Sequence, residues 1–200
     1  MINVIAQKVP IRTVVCTDCA GGIGSKDGTI PWHNEKNDLV KTDLKAFKYL
    51  TYRSICVVGR ETYETMKEIP SVKSGRFFFV LTSDPKNFVG EYTNAKPFNG
   101  NVIDAIESVY ETFFIQSDQI YFEGGISIIG GKSVYDPIFN PMNRFLTKNI
   151  DIYRGWLSND YDCDVKFSLN QVAEMHDRNE ERLIHERQGE DEYMLLKYSY

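Results

Sequence analysis

Residues 31–66 read PWHNEKNDLVKTDLKAFKYLTYRSICVVGRETYETM. Within them, 41–50 has helical spacing, with Leu44, Phe47 and Leu50 on one face and lysines opposite. One carboxylate, Asp43, opens that helix and precedes Phe47 by four residues, so both fall on the same face. The apolar run 54–58 reads as a strand and passes directly into Gly59-Arg60-Glu61-Thr62, where a second helix, 60–66, begins. A lone acid among apolar neighbours suits a flat, nitrogen-rich heterocycle, because its charge is spent on ring N–H and amino groups. A Gly-Arg-x-Thr turn between strand and helix suits a phosphate, which meets free backbone N–H groups and the helix dipole. The two together point to an enzyme that brings a nucleotide cofactor to a pteridine-like ring.

Outward from this stretch the chain alternates short apolar runs with helical periods, the pattern of an α/β domain on a mostly parallel sheet. Strands are predicted at 13–17, 54–58, 77–82, 119–122, 127–129 and 144–150. Two more, 182–186 and 193–198, flank Gln188-Gly189-Glu190-Asp191 and predict a terminal antiparallel hairpin. Helices are predicted at 41–50, 60–66, 102–114 and 132–139, the third capped by Asn101 or Asn99. The segments 68–74 and 84–100 read as surface loops. Of the two Gly-Gly pairs, only Gly130-Gly131 follows an apolar strand and leads into a helical run, as a phosphate-facing turn would.

Two hundred residues without an internal repeat or low-complexity linker predict a single domain, 1–200. With 23 basic against 28 acidic residues and no basic tract, nucleic acid is a poor partner. No apolar run reaches the ~18 residues of a membrane span, and the N-terminus lacks the pattern of a secretion signal. A cytoplasmic location is expected. Cys16 and Cys19 form a CxxC, open to a redox dithiol or half a zinc site. No second CxxC or His pair completes one, so buried strand thiols are the plainer reading of Cys16 and Cys56. His33, His176 and His185 show no ligand spacing, and no metal is implied.

GGIGSKDGTIPW (21–32), DLKAFKYLT (43–51), VVGRETY (57–63), GR (75–76), IIGGKSVY (128–135) and FLT (145–147) occur in the order and approximate spacing of dihydrofolate reductases, which this chain resembles over nearly its whole length. The resemblance implies a dihydrofolate reductase-like α/β fold. Its mixed, mostly parallel eight-stranded sheet is flanked by helices and ends in a C-terminal antiparallel hairpin, with an adenosine-binding subdomain at roughly 52–107. It also implies NADPH as cofactor and dihydrofolate as substrate, with hydride transfer to pterin C6 and protonation of N5. Such a reaction serves one-carbon and thymidylate metabolism.

By the same resemblance Asp43 is the pterin-binding acid and Phe47 an aromatic wall beside the aminobenzoyl group. Trp32, which could equally be a core aromatic, sits at the base of a mobile loop, 22–30, with its indole N–H toward a water near the acid. Thr147 hydrogen-bonds the acid from a strand. Val15 and Cys16 line the pterin site, and Met66, Ile69 or Val72 meet the aminobenzoyl group. Arg76 pairs with the glutamate α-carboxylate, a fit for its planar fork. The cofactor falls to Cys16, Ile23, Gly24, Gly59, Arg60, Thr62, Thr82, Ser83, Ile129, Gly130, Gly131, Lys132, Ser133, Val134 and Tyr135, with the Gly130-Gly131 bond cis. Glu61 stands where the family often has a basic residue.

The interval from Trp32 to Asp43 is five or six residues longer than is usual in the family, which makes Asp38 a rival acid. Asp38, however, has Thr42 where Phe47 follows Asp43. Two other functions stay in view: a riboflavin-pathway pyrimidine reductase of the same fold, and a non-catalytic folate- or NADPH-binding structural protein. A monomer is the default oligomeric state.

Overall fold

The seven residues Ile11–Thr17, rich in β-branched side chains, form strand β1 at the middle of the molecule, preceded by a short helix α1, Ile2–Ala6. In this computed structural model the described residues are 1–34, 37–67, 69, 74–88, 94–115 and 122–200. Strand β2 (Gly22–Gly24) leads through a turn to helix α2 (Asp38–Leu50), then β3 (Ser54–Gly59), α3 (Arg60–Met66), β4 (Phe77–Leu81), β5 (Ala95–Phe98) and α4 (Val102–Val109). The chain continues through β6 (Gly125–Ile128), α5 (Lys132–Tyr135), α6 (Arg144–Thr147), β7 (Asp151–Leu157), β8 (Val165–Lys166), α7 (Leu169–His176), β9 (Asn179–Gln188) and β10 (Asp191–Ser199).

Eight strands make one sheet in the order β5-β4-β3-β6-β1-β7-β10-β9. Its first six strands are parallel. Strand β10 runs antiparallel to β7, and β9 antiparallel to β10, so the predicted C-terminal hairpin is present. Strands β1, β3 and β6 bury both faces, as parallel strands covered by helices must. On one face Ile55, Val57 and Ile126 pack with Ile2 and Ile5 of α1 and Ala105, Ile106 and Val109 of α4. On the other, Cys56 and Val58 pack with Leu39, Val40 and Leu50 of α2 and Tyr63 of α3. The outermost strand β9 is exposed along almost all of NEERLIHERQ, and β5 at the far side carries Pro97 opposite Val80. Among the described residues no helix is long and apolar enough to cross a membrane.

Several elements depart from expectation. Helix α2 starts at Asp38 rather than 41, because the Asn37 side chain accepts the Leu39 N–H as an N-cap. Asp43 therefore stands in the second turn. The predicted strand 144–150 is helix α6: Asn140 caps a turn begun by Pro141, and Thr147 Oγ1 donates back to the Asn143 carbonyl. The strand forms later, at Asp151–Leu157. Strand β5 falls within the predicted loop 84–100, and α1, β2, β8 and α7 were not foreseen. Helix α7 carries a capping box between Ser168 and Gln171. Of the predicted strand 119–122, positions 119–121 lie outside the described residues, as does most of the loop 68–74.

Candidate active site

The C-terminal ends of β1, β3, β4 and β6 open into a cavity of about 1480 Å³ between α2 and α3. A parallel sheet places its ligands there, beyond the carboxyl ends of its strands. One end of the cavity lies beside Asp43 and Phe47 of α2, the other beside Thr82 and Ser83 after β4 and Asn99–Asn101 before α4.

Asp43 lines the cavity; Asp38 does not, being exposed and paired with Lys41 at 2.6 Å. Burial is the main cause that pushes the Asp43 carboxyl up from 3.8 to about 6, and hydrogen bonds from Cys16 and Tyr193 oppose it. Its Oδ1 accepts the Tyr193 hydroxyl at 3.2 Å. Burial first, then the neighbouring Asp43 charge, hold the Cys16 thiol well above its usual value, so it is a neutral wall rather than a nucleophile. All four cysteines are free thiols.

Val15, Phe47 and Met66 also face the cavity, and so does the exposed Ile69. Val72 lies outside the described residues. Arg76 is not in the cavity wall: it is buried, and its guanidinium lies 5.9 Å from the Phe47 ring. It donates to Thr51 Oγ1, the Lys48 carbonyl and the Ser74 carbonyl. Trp32 is fully buried against Tyr161, and its Nε1 is a buried donor without a partner among the described residues. Thr147 is a correction. It lies in α6 rather than in a strand and outside the cavity, and its hydroxyl is bonded to Asn143, so it does not reach the acid. The position in β7 that does reach Asp43 is Gly155, where an added Cβ would collide with Oδ1.

The loop over the cavity is anchored at its base. Buried Asp18 accepts the Gly22 and Tyr161 N–H groups, and β2 pairs with β8. Beyond it, Ile23 and Gly24 through Ile30 face the cavity.

The remaining wall has the character of a cradle for a long anion. Gly59 N–H donates to the Gly130 carbonyl at 2.7 Å, which brings the starts of α3 and α5 together. The Gly130-Gly131 peptide is cis. A Cβ at Gly131 would stand 2.8 Å from Thr62 Oγ1, and one at Gly59 would stand 3.4 Å from Gly131 N, so side chains would fill this space. Around the cradle lie Arg60, Thr62, Ile129, Lys132, Ser133, Val134, Tyr135, Thr82 and Ser83. Lys132 is partly engaged by Asp136 at 2.6 Å, and the Tyr135 hydroxyl donates to the Val14 carbonyl at 2.8 Å. The volume of the cavity, the glycine cradle and these donors fit a dinucleotide. Glu61 and Asp84 also face it and temper its positive charge.

Sequence reasoning missed Gly155, Tyr193, His33 and the Asn99–Asn101 segment. None sits in a motif of fixed spacing; Tyr193 is one tyrosine among 12.

The profile of the family described as dihydrofolate reductase matches residues 10–199. A dihydrofolate reductase of Mycoplasma genitalium is 30% identical over 159 residues, covering 79% of this chain and 88% of that protein. A dihydrofolate reductase type 8 of Escherichia coli is 25% identical over 181 residues, covering 88% and 92%. Among solved structures, the dihydrofolate reductase of Enterococcus faecalis complexed with NADP(H) and RAB-propyl superimposes with a TM-score of 0.62 at 21% identity, over 94% of this chain and 95% of that one. That likeness is one of fold. Family profile, relatives and the eight-stranded sheet agree: this chain belongs to the dihydrofolate reductase family.

Proposed function

We propose that this chain reduces 7,8-dihydrofolate to 5,6,7,8-tetrahydrofolate with NADPH, in support of one-carbon and thymidylate metabolism. The observation that carries this reading is Asp43, a carboxyl raised to about 6 at one end of a cavity whose other end is built of glycine turns and hydroxyls. NADPH supplies the hydride that C6 of the pterin receives. The work of the chain is to bind, orient and manage water and one proton.

Asp43 binds the amino and N–H edge of the pterin, which favours its charged form and offsets the desolvation it bears in the free protein. Held there, the ring presents C6 toward the cofactor side, and the electron-rich N5 takes its proton from water. Trp32 Nε1, a buried donor without a partner among the described residues, supports that water. Phe47 and Met66 pack on the aminobenzoyl group, and Arg76, behind Phe47 and outside the cavity wall, braced by Thr51, Lys48 and Ser74, turns its guanidinium to the glutamate α-carboxylate where the substrate's tail leaves the cavity. For the cofactor, Thr62, Lys132 and Ser133 hold the diphosphate, while Arg60, Thr82 and Ser83 meet the 2′-phosphate at the adenosine end within the subdomain at roughly 52–107.

Mixing the protein with NADPH and dihydrofolate and following the loss of NADPH absorbance tests the reading. Substrate-dependent oxidation of NADPH supports it. Tight binding of both ligands without turnover refutes it.

A further inference from the structure

Strand β7 gives the acid nothing but backbone. Gly155 lies beneath Asp43, and a Cβ there would meet Oδ1 and stand 3.1 Å from Cys16 Sγ. The plane of a carboxylate is set by a broad terminal torsion, so over bare backbone some other group must fix it. Two groups meet it: the Cys16 thiol of β1, a weak donor, and a phenol on the strand beside β7. Tyr193 of β10 pairs with Leu157 of β7, two positions from the Leu195–Gly155 pair, so its side chain emerges on the same face. Its ring is fully buried, packed with Val14, Leu157 and Leu195, and its hydroxyl donates to Asp43 Oδ1 at 3.2 Å.

We infer that Tyr193 is the positioning residue for the substrate-binding acid: its hydroxyl holds Oδ1 toward the sheet and so sets how the carboxylate meets the pterin edge. This rests on the reading of Asp43 given above. Two consequences follow from the surroundings. Gly155 must stay without a side chain, because the carboxylate occupies the space a Cβ would take. Burial, then the Asp43 charge, keep the Tyr193 phenol far above its ordinary range, so it remains an O–H donor at every working pH. The other groups facing the pair are the Cys16 thiol of β1 and the Tyr135 phenol of α5, both raised and neutral, and Glu186 of β9 on the outer side of Tyr193. His33 also lines the cavity, and burial lowers its titration; it is common to both proteins in the comparison below.

Tyr193→Phe removes one oxygen and keeps the buried ring. The expected result is a rise of about tenfold or more in KM for dihydrofolate, the scale of one hydrogen bond to a charged group. KM for NADPH should stay unchanged. The acidic limb of the kcat/KM profile for dihydrofolate should move to higher pH, because the charged carboxylate has lost a donor. The Asp43 carboxyl is titrated in parallel by 13C NMR in ligand-free wild type and variant, where the same upward move is expected. That measurement stands even if the protein has no reductase activity, so failure of the functional reading is distinguished from failure of this one. An unmoved profile or an unmoved titration overturns the inference. If Tyr193→Phe does not fold, fluorotyrosine placed at 193 strengthens the donor while keeping ring and hydroxyl. The Asp43 titration should then move down, and its failure to do so overturns the inference equally.

Discussion

Replacing Asp43 with Asn removes a charge that the fold holds against its own preference. In the unfolded chain the carboxyl titrates near 3.8; in the fold, burial raises it to about 6. Each unit is worth about 1.4 kcal/mol, so two units set an upper value of about 3 kcal/mol; exposure to the open cavity reduces this to about 1.5–2.5 kcal/mol. The sign is destabilising for the wild type. Between pH 3.8 and about 6 the folded chain keeps a proton that the unfolded chain has released, so stability falls as pH rises through that window and is flat above it. Asparagine has the same shape, no charge, and a carbonyl oxygen that still accepts the Tyr193 hydroxyl. Asp43→Asn should therefore melt higher than wild type at pH 7 by about 4–8 °C for a chain of this size. The gap should shrink to a small constant offset below pH 3.8. Scanning calorimetry of the ligand-free proteins from pH 3.5 to 8 measures it. Turnover of dihydrofolate should collapse in the same variant, with NADPH affinity nearly intact. A variant that melts below wild type at pH 7, or a gap independent of pH, refutes the argument that the acid is held at a desolvation cost.

Three further outcomes are expected. Arg76→Leu should raise KM for dihydrofolate far more than for NADPH, by about 2–4 kcal/mol in kcat/KM, because it deletes a charge-assisted pair; equal damage to both would make Arg76 purely a brace between Thr51, Lys48 and Ser74. NADPH should be preferred over NADH, with a margin that Glu61 and Asp84 temper and that narrows at high salt as the attraction of Arg60 for the 2′-phosphate is screened; steady-state kinetics at two ionic strengths measure this, and equal use of both cofactors at low salt sinks the phosphate assignment. Thr147→Ala should leave kcat and both KM values within about twofold and cost about 1 kcal/mol of stability, through its lost bond to Asn143; a large fall in kcat would restore Thr147 to the site.

The strands that were legible in the sequence are those buried on both faces, where 54–58 and 77–81 are continuous apolar runs between turn residues. Helix α2 was legible from its period, and its start was misplaced because the Asn37 cap lies outside the apolar pattern. Strand β7 escaped notice because Arg154 and Gly155 interrupt its inward faces, while Phe145 and Leu146 just before it advertised hydrophobicity that the fold leaves exposed. The same slip misassigned Thr147. In the cavity wall, Gly59, Arg60, Gly130, Gly131 and Asp43 were found because short-range geometry demands them at fixed offsets. Tyr193 and Gly155 meet Asp43 only through strand pairing across more than 100 positions of sequence, and no local pattern records such a contact.

The two outer strands of the sheet have a consequence for the molecule among its own copies. An unpaired strand offers a row of N–H and C=O groups that another chain can zip onto. Here β9 places NEERLIHERQ, five charged residues in ten, along one such row, and β5 interrupts the other with Pro97, which has no N–H to give. Incoming backbone would have to desolvate charge on one side and skip a hydrogen bond on the other. Growth of the sheet is therefore self-terminating at both ends, and a neutralised β9 would be the first place for this protein to begin forming aggregates.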